Sequence, residues 1–340
     1  MLKDKLQIYI ITYNRKHYLE KTLQAILATD SPIREFDITI LDNASTDGAS
    51  EIIEEYCAKY PNLVHIRHKV NIGGNSNICR AFEMGASCGK DYFWVLCDDD
   101  KYDFSNWHEV EREINAKKDI ICVCDYLYST PEQKKDVKYA IFQLTFVPAG
   151  IYKISNIDNN VMINMYDSIL TMFQQSCLTI KCINENKNIS VLSKPIVFNG
   201  WYFDDKVDDE SLSYTRGSNG NNNLERRNNT NWALGYSQVL SLLNDKKLAK
   251  ECFIEAVADE NIYHKKSSFY YDMIDKYLNF KNINYFYEIL KILSAKDKFE
   301  IIILALLAPF LIFYSSPKGY YVRLFGCLKT KVWSKKPKNK

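Results

Sequence analysis

Residues 92–102 read Tyr-Phe-Trp-Val-Leu-Cys-Asp-Asp-Asp-Lys-Tyr, "YFWVLCDDDKY". An apolar run of this length, closed off by charge, has the signature of a strand buried on both faces. The three carboxylates behind it are costly neighbours, because like charges in contact raise one another's pKa unless a cation sits among them. What kind of sheet holds this strand, and what cation, is decided by the residues around it.

The first 125 residues alternate between two periodicities. Segments 6–12, 36–41, 63–68, 92–97 and 120–124 are short apolar or β-branched runs and read as strands. Segments 17–28, 50–60 and 77–87 carry apolar residues at helical spacing, as Leu19, Leu23, Ile26 and Leu27 do. Strands alternating with helices of this length predict a doubly wound, mostly parallel α/β sheet. Ligands of such sheets bind beyond the carboxyl ends of the strands. Four polar clusters therefore share one edge: Thr12-Tyr13-Asn14, Asp42 to Asp47, Asn71-Ile72-Gly73-Gly74-Asn75, and Asp98-Asp99-Asp100.

Composition narrows the function. The chain has 340 residues, 46% of them hydrophobic, with 44 basic against 42 acidic side chains, so it is a globular chain without the bulk positive charge of a nucleic-acid binder. The charge is unevenly placed. Residues 318–340 hold eight Lys or Arg and no acid, which leaves 36 basic against 42 acidic before them, a net of −6. Ten scattered cysteines without a C-x-x-C pair predict reduced thiols and a cytoplasmic chain, and argue against zinc. The first residues lack the pattern of a secretory leader.

Beyond residue 137 the alternation weakens. A helix is expected near 162–176, a polar lid-like stretch at 204–231, and helices at 232–243, 246–258 and 267–293. The uncharged run 301–314 contains Pro309 and is shorter than the roughly 20 residues of a spanning helix. It reads either as a buried helix or as an interfacial segment, with Tyr320, Tyr321, Trp333 and the basic tail beside it favouring the membrane surface. The expected organisation is a catalytic domain over 1–231 (donor half 1–125, acceptor half 126–231), a helical region over 232–300, and a membrane-associating segment over 301–340.

Three readings of the triple aspartate compete. An EF-hand fails, because Tyr102 and Asp103 stand at the fifth and sixth loop positions, where a ligand and a glycine belong. A solvated turn is the plain alternative. The third is Mg²⁺ or Mn²⁺ held by one or two carboxylates and completed by substrate phosphates. Its neighbours favour it: Asp42 can accept from a base or ribose, Gly73-Gly74 permits close backbone approach, and Arg80 can reach phosphate. Neither a Walker A loop nor a G-x-G-x-x-G turn is present.

Segments Ile10 to Arg15, Ile40 to Asp47, Asn71 to Gly74 and Asp98 to Asp100, in this order and spacing, resemble the family 2 glycosyltransferases of GT-A fold. The resemblance covers residues 5–115. It implies metal-dependent, inverting transfer of a sugar from a nucleotide-diphosphate donor, here a UDP-sugar, to a glycan or lipid-linked saccharide in surface polysaccharide or lipooligosaccharide biosynthesis. It also implies that Thr12, Tyr13, Asn14, Asp42, Asn71, Gly73, Arg80, Asp98 and Asp99 serve the nucleotide, with Asp98 at the ribose, and that Asp98 and Asp100 hold the metal. The general base of such enzymes comes from a Glu-Asp pair opening a helix; Tyr166-Asp167 is the best match, with Tyr where Glu belongs, so Asp167 is the expected base. Asp204, Asp205, Asp208 and Asp209 are fallbacks, and His264 a further metal candidate. The apolar run and basic tail of 301–340 place the expected enzyme in the cytoplasm, peripheral on the inner face of the cell membrane. A non-catalytic nucleotide-sugar binder and a nucleotidyltransferase are the rival readings.

Overall fold

The run Leu6–Thr12 is apolar or β-branched at all but one position, and it forms strand β1 at the centre of the sheet. A computed structural model of the chain describes residues 1–125, 130, 132–198, 200, 229–258, 287, 290–291, 293, 295–307, 311–316, 319–324 and 328–334. The other strands are β2 (Ile38–Asp42), β3 (Leu63–Arg67), β4 (Tyr92–Cys97), β5 (Lys101–Tyr102), β6 (Ile120–Cys122), β7 (Gly150–Lys153), β8 (Ile189–Val191) and β9 (Val197–Phe198). Seven of them form one sheet in the order β3-β2-β1-β4-β7-β6-β8. Strands β3, β2, β1 and β4 are mutually parallel, as are β6 and β8, while β7 runs antiparallel between β4 and β6. This is the mostly parallel α/β architecture of the GT-A fold. A separate antiparallel pair joins β5 to β9.

Both faces of the sheet are covered, which is why its strands read as continuous apolar runs. On one face Leu6, Ile8, Ile10, Trp94 and Leu96 pack under α1 (Lys16–Ile26), α2 (Ala49–Lys59) and α4 (Trp107–Asn115). On the other, Tyr9, Leu41, Phe93 and Val95 pack under α3 (Gly74–Ala86), α6 (Asn159–Asp167) and α7 (Ser176–Asn184). Each such fully buried side chain contributes about 1.5–3 kcal/mol. The nine cysteines among the described residues are free thiols.

Two expectations change in the second half. The helix expected over 162–176 is two helices, α6 and α7, separated by a turn in which Met172 adopts φ +69°. Thr171 causes the break: its hydroxyl donates to Ser168 O at 2.7 Å and accepts from Phe173 N at 3.1 Å, bonds that compete with a continuous helix. The run 301–314 is also divided. Its first half closes helix α10 (Ala295–Leu307), which follows α5 (Val137–Gln143), α8 (Asn229–Leu240) and α9 (Lys246–Ala258) in chain order. Its second half enters β10 (Leu311–Ser316), so a single buried helix does not describe it. Strands β10, β11 (Gly319–Leu324) and β12 (Leu328–Ser334) form an antiparallel meander. No described helix is long and apolar enough to cross a membrane.

The chain divides into two units, one of Met1–Arg227 with Gln238–Cys252 and one of Asn228–Ser237 with Phe253–Lys340. The polar stretch 204–231 with Asp204, Asp205, Asp208 and Asp209 lies almost wholly outside the described residues, as do His264 and most of the helix expected at 267–293.

Candidate functional site

Register brings the polar clusters together. Thr12 at the end of β1 is paired with Asp42 at the end of β2, Ile11 with Cys97, and Asp42 with Arg67 at the end of β3. The loops that follow are sewn to one another. Asn14, at φ +49°, accepts from Thr46 N through Oδ1 at 2.7 Å, and its own N–H donates to Ser45 Oγ at 3.0 Å. Asn43 donates to Asn71 Oδ1 at 2.7 Å and accepts from Ile72 N at 2.9 Å, and Asn71 Oδ1 also accepts from Gly73 N at 2.8 Å. Gly73 takes φ +86° and ψ 153°, a conformation that only glycine adopts without strain, and a Cβ there would meet nothing within 4 Å.

Asp42 is completely buried. Its carboxylate accepts from Ser45 N at 2.8 Å, Ser50 Oγ at 2.5 Å and Arg67 Nε at 3.2 Å, with His65 Nε2 at 3.6 Å. Burial alone would raise its pKa, but these partners outweigh burial and hold the carboxyl well below the usual range. Asp42 thus anchors the loop after β2. Around it, His68 Nε2 and Arg80 Nη1 are enclosed without a hydrogen-bond partner. Burial, reinforced by Arg80, pushes the His68 pKa down, so the imidazole is neutral near pH 7. Tyr13 is partly exposed beside Thr12 and Asn14, which are buried.

The three aspartates are not equivalent. Asp98 and Asp100 are 2% and 3% exposed, and Asp98 Oδ2 and Asp100 Oδ2 have no hydrogen-bond partner. Asp98 Oδ1 lies 3.0 Å and Asp99 Oδ2 2.7 Å from Arg15 Nη1. Burial pushes Asp98 up to about 6 against the pull of Arg15, and burial with Asp99 alongside pushes Asp100 well above the usual range. The sequence pairs Asp98 with Asp100 as expected metal ligands; in the fold, donor atoms of Cys97, Asp99 and Asp100 lie within 4.8 Å of one another, and both Asp98 and Asp99 contact the Arg15 guanidinium. Buried carboxylate oxygen without a partner fits a hard divalent cation such as Mg²⁺ or Mn²⁺.

Asp167 is the last residue of α6 and is exposed. Its segment packs on α3: Tyr166 OH donates to Glu83 Oε2 at 3.2 Å, and Asn75 Nδ2 donates to Ile169 O at 2.7 Å. Gln174 and Gln175, which directly precede α7, are both wholly buried, with each Oε1 unpartnered. Sequence reasoning passed over Arg15, Ser45, Ser50, His65, Arg67 and His68. A cation directly after the Thr-Tyr-Asn cluster was the one signal that could have flagged Arg15.

The family model described as "Glycosyl transferase family 2" matches residues 7–178 of this chain, the sheet and loops just described. The chain belongs to glycosyl transferase family 2. Among curated relatives of this family-2 chain, the abequosyltransferase RfbV of Salmonella typhimurium is 32% identical over 117 residues, 34% of this chain and 34% of that protein. The poly(ribitol-phosphate) beta-glucosyltransferase of Bacillus spizizenii is 33% identical over 70 residues, 21% of this chain and 11% of that one. The stretches matched in these two therefore span about a third of the relative's length or less. Among solved structures, S. aureus TarS 1–349 in complex with UDP-GlcNAc superposes with a TM-score of 0.58 at 16% identity, covering 97% of this chain and 99% of that one. This last likeness is one of fold.

Proposed function

We propose that this family-2 chain is a glycosyltransferase that moves a sugar from a nucleoside-diphosphate donor, a UDP-sugar, to a saccharide or lipid-linked acceptor with inversion, in the building of a surface glycan. The observation that carries the reading is a set of enclosed, unpartnered polar atoms around one sheet edge: Asp100 Oδ2 toward a cation, and Asp98 Oδ2, His68 Nε2 and Arg80 Nη1 toward a nucleotide. Buried polar atoms without partners are costly, so sites that keep them are sites where a ligand supplies the partner.

In this reading Thr12, Tyr13 and Asn14 meet the base, Asp42 holds the loop against it, and Asn71 and Gly73 shape the backbone that lies along the nucleotide. Asp98 takes the ribose, Arg80 a phosphate. Asp99 and Asp100 hold Mn²⁺ or Mg²⁺, which when bound stabilises the charge left on the departing diphosphate. Asp167 accepts the proton of the acceptor hydroxyl as that oxygen attacks the anomeric carbon. Residues 1–125 form the donor half and 126–231 the acceptor half. The segment 301–340 brings the chain to the inner face of the membrane; the support is the eight basic residues, and no acid, in 318–340.

The test is a thermal shift with UDP, GDP, CMP and TDP, each with and without Mn²⁺, followed by transfer assays with the matching sugar nucleotides. A ligand at 100 times its Kd stabilises by about 2.7 kcal/mol. Stabilisation by one diphosphate that needs the metal and disappears in Asp100→Ala is expected. A chain that binds but neither transfers nor hydrolyses any donor is a binder, the reading that Tyr166 in place of a glutamate would favour.

A further inference from the structure

Three carboxylates and one guanidinium meet at the end of β4. A single nitrogen, Arg15 Nη1, contacts two of the three acids, at 3.0 Å to Asp98 and 2.7 Å to Asp99. The Arg15 side chain is 22% exposed, and the residue directly precedes α1, whose Thr22 Oγ1 donates to Asp98 O at 2.9 Å. With all acids ionised the cluster carries −2 with Arg15 and would carry −3 without it.

That arithmetic bears on how a divalent cation enters. A bare ion approaching Asp99 and Asp100 sits close to the positive charge of Nη1, which already holds Asp99 Oδ2. A diphosphate removes that obstacle, supplying oxygens to the cation and negative charge to balance the guanidinium.

We propose that Arg15 is a built-in counter-ion of the aspartate cluster, which keeps its affinity for a free divalent cation low so that the cation is captured together with the nucleotide diphosphate. Arg15 acts through Asp98 and Asp99 and is a positioning residue. The inference rests on the cation reading given under the proposed function, and extends it to the order of binding.

The experiment is a Mn²⁺ titration of the full chain followed by electron paramagnetic resonance of the free ion, with Mn²⁺ alone and with saturating UDP. Arg15→Gln keeps hydrogen-bond donors toward the acids but removes the charge; Arg15→Lys keeps the charge. Wild type is expected to bind Mn²⁺ much more tightly with UDP than without it. Arg15→Gln is expected to bind Mn²⁺ alone about tenfold tighter than wild type or more, the scale of one unit charge removed from a few ångströms away. With its Mn²⁺ affinity in the UDP complex unchanged, its UDP-dependence shrinks by the same factor, and by reciprocity Mn²⁺ strengthens UDP binding less. Arg15→Lys stays near wild type. If Arg15→Gln binds bare Mn²⁺ no tighter than wild type while wild type binds Mn²⁺ with UDP, the counter-ion role is wrong and the cation site stands. If wild type binds no Mn²⁺ even with UDP, the cation reading itself falls. Should Arg15→Gln fail to fold, recovery of its circular dichroism by Mn²⁺ but not by equal ionic strength of NaCl supports the proposal, and no recovery overturns it.

Discussion

Asp42, expected from the sequence to meet the nucleotide, shows how much of a polar side chain the fold itself can engage. From the sequence its carboxylate looks free to meet a ligand; in the fold it is wholly buried and engaged by Ser45, Ser50 and Arg67. Its folded pKa lies below the unfolded value of about 3.9, so the stability it contributes is present above about pH 4 and is lost as the pH falls further. Asp42→Asn should cost about 2–3 kcal/mol at pH 7, since charged hydrogen bonds are replaced by neutral ones in a buried site. Urea denaturation at pH 7 and at pH 3 should show a smaller gap between variant and wild type in acid; an equal gap at both would mean the carboxylate is not held in its charged form. Gly73 makes a second residue-scale prediction. At φ +86° and ψ 153° a Cβ meets open space but a strained backbone, so Gly73→Ala should lose about 1–3 kcal/mol and weaken nucleotide binding in the same thermal-shift assay.

At the scale of elements, α3 couples the core to the site, because the helix that opens at Gly74 and carries Arg80 lies on β4, whose end carries the acids. Its closest approach is at Gly85, where an added Cβ would come within 2.8 Å of the Phe93 ring. Gly85→Ala should therefore destabilise by about 1–3 kcal/mol through overpacking, read as a lower melting temperature. An unchanged melting temperature would mean that α3 can slide on the sheet. Elements also show where reading the chain alone gave out. Strands β1, β2, β3 and β4 were legible because each is a run of β-branched or apolar residues long enough to show its period. Strand β7, four residues between Ala149 and Ile154, was too short to show one, and it is the strand that breaks the parallel pattern. The apolar spacing of 162–176 suits one helix; the side-chain bonds of Thr171 divide it in two.

For the molecule as a whole, charge is segregated, with eight basic residues and no acid in 318–340. Removing 301–340 should abolish sedimentation with vesicles containing anionic lipid, and raising the salt should do the same to the intact chain. Equal partitioning of the truncated and full chains would remove the membrane from the reading. The α/β fold, the edge at which the polar clusters gather and the family were all legible in the amino-acid sequence, because strand periodicity and the position of polar residues just after each strand are local properties of the chain. Which groups meet at that edge was decided only by the tertiary structure. Arg15 and Asp98 stand 83 residues apart, and Asp42 and Arg67 stand 25 apart. Their pairing, the charge left over for a cation and the atoms left without partners follow from how neighbouring strands and helices pack, which no local pattern in the chain records.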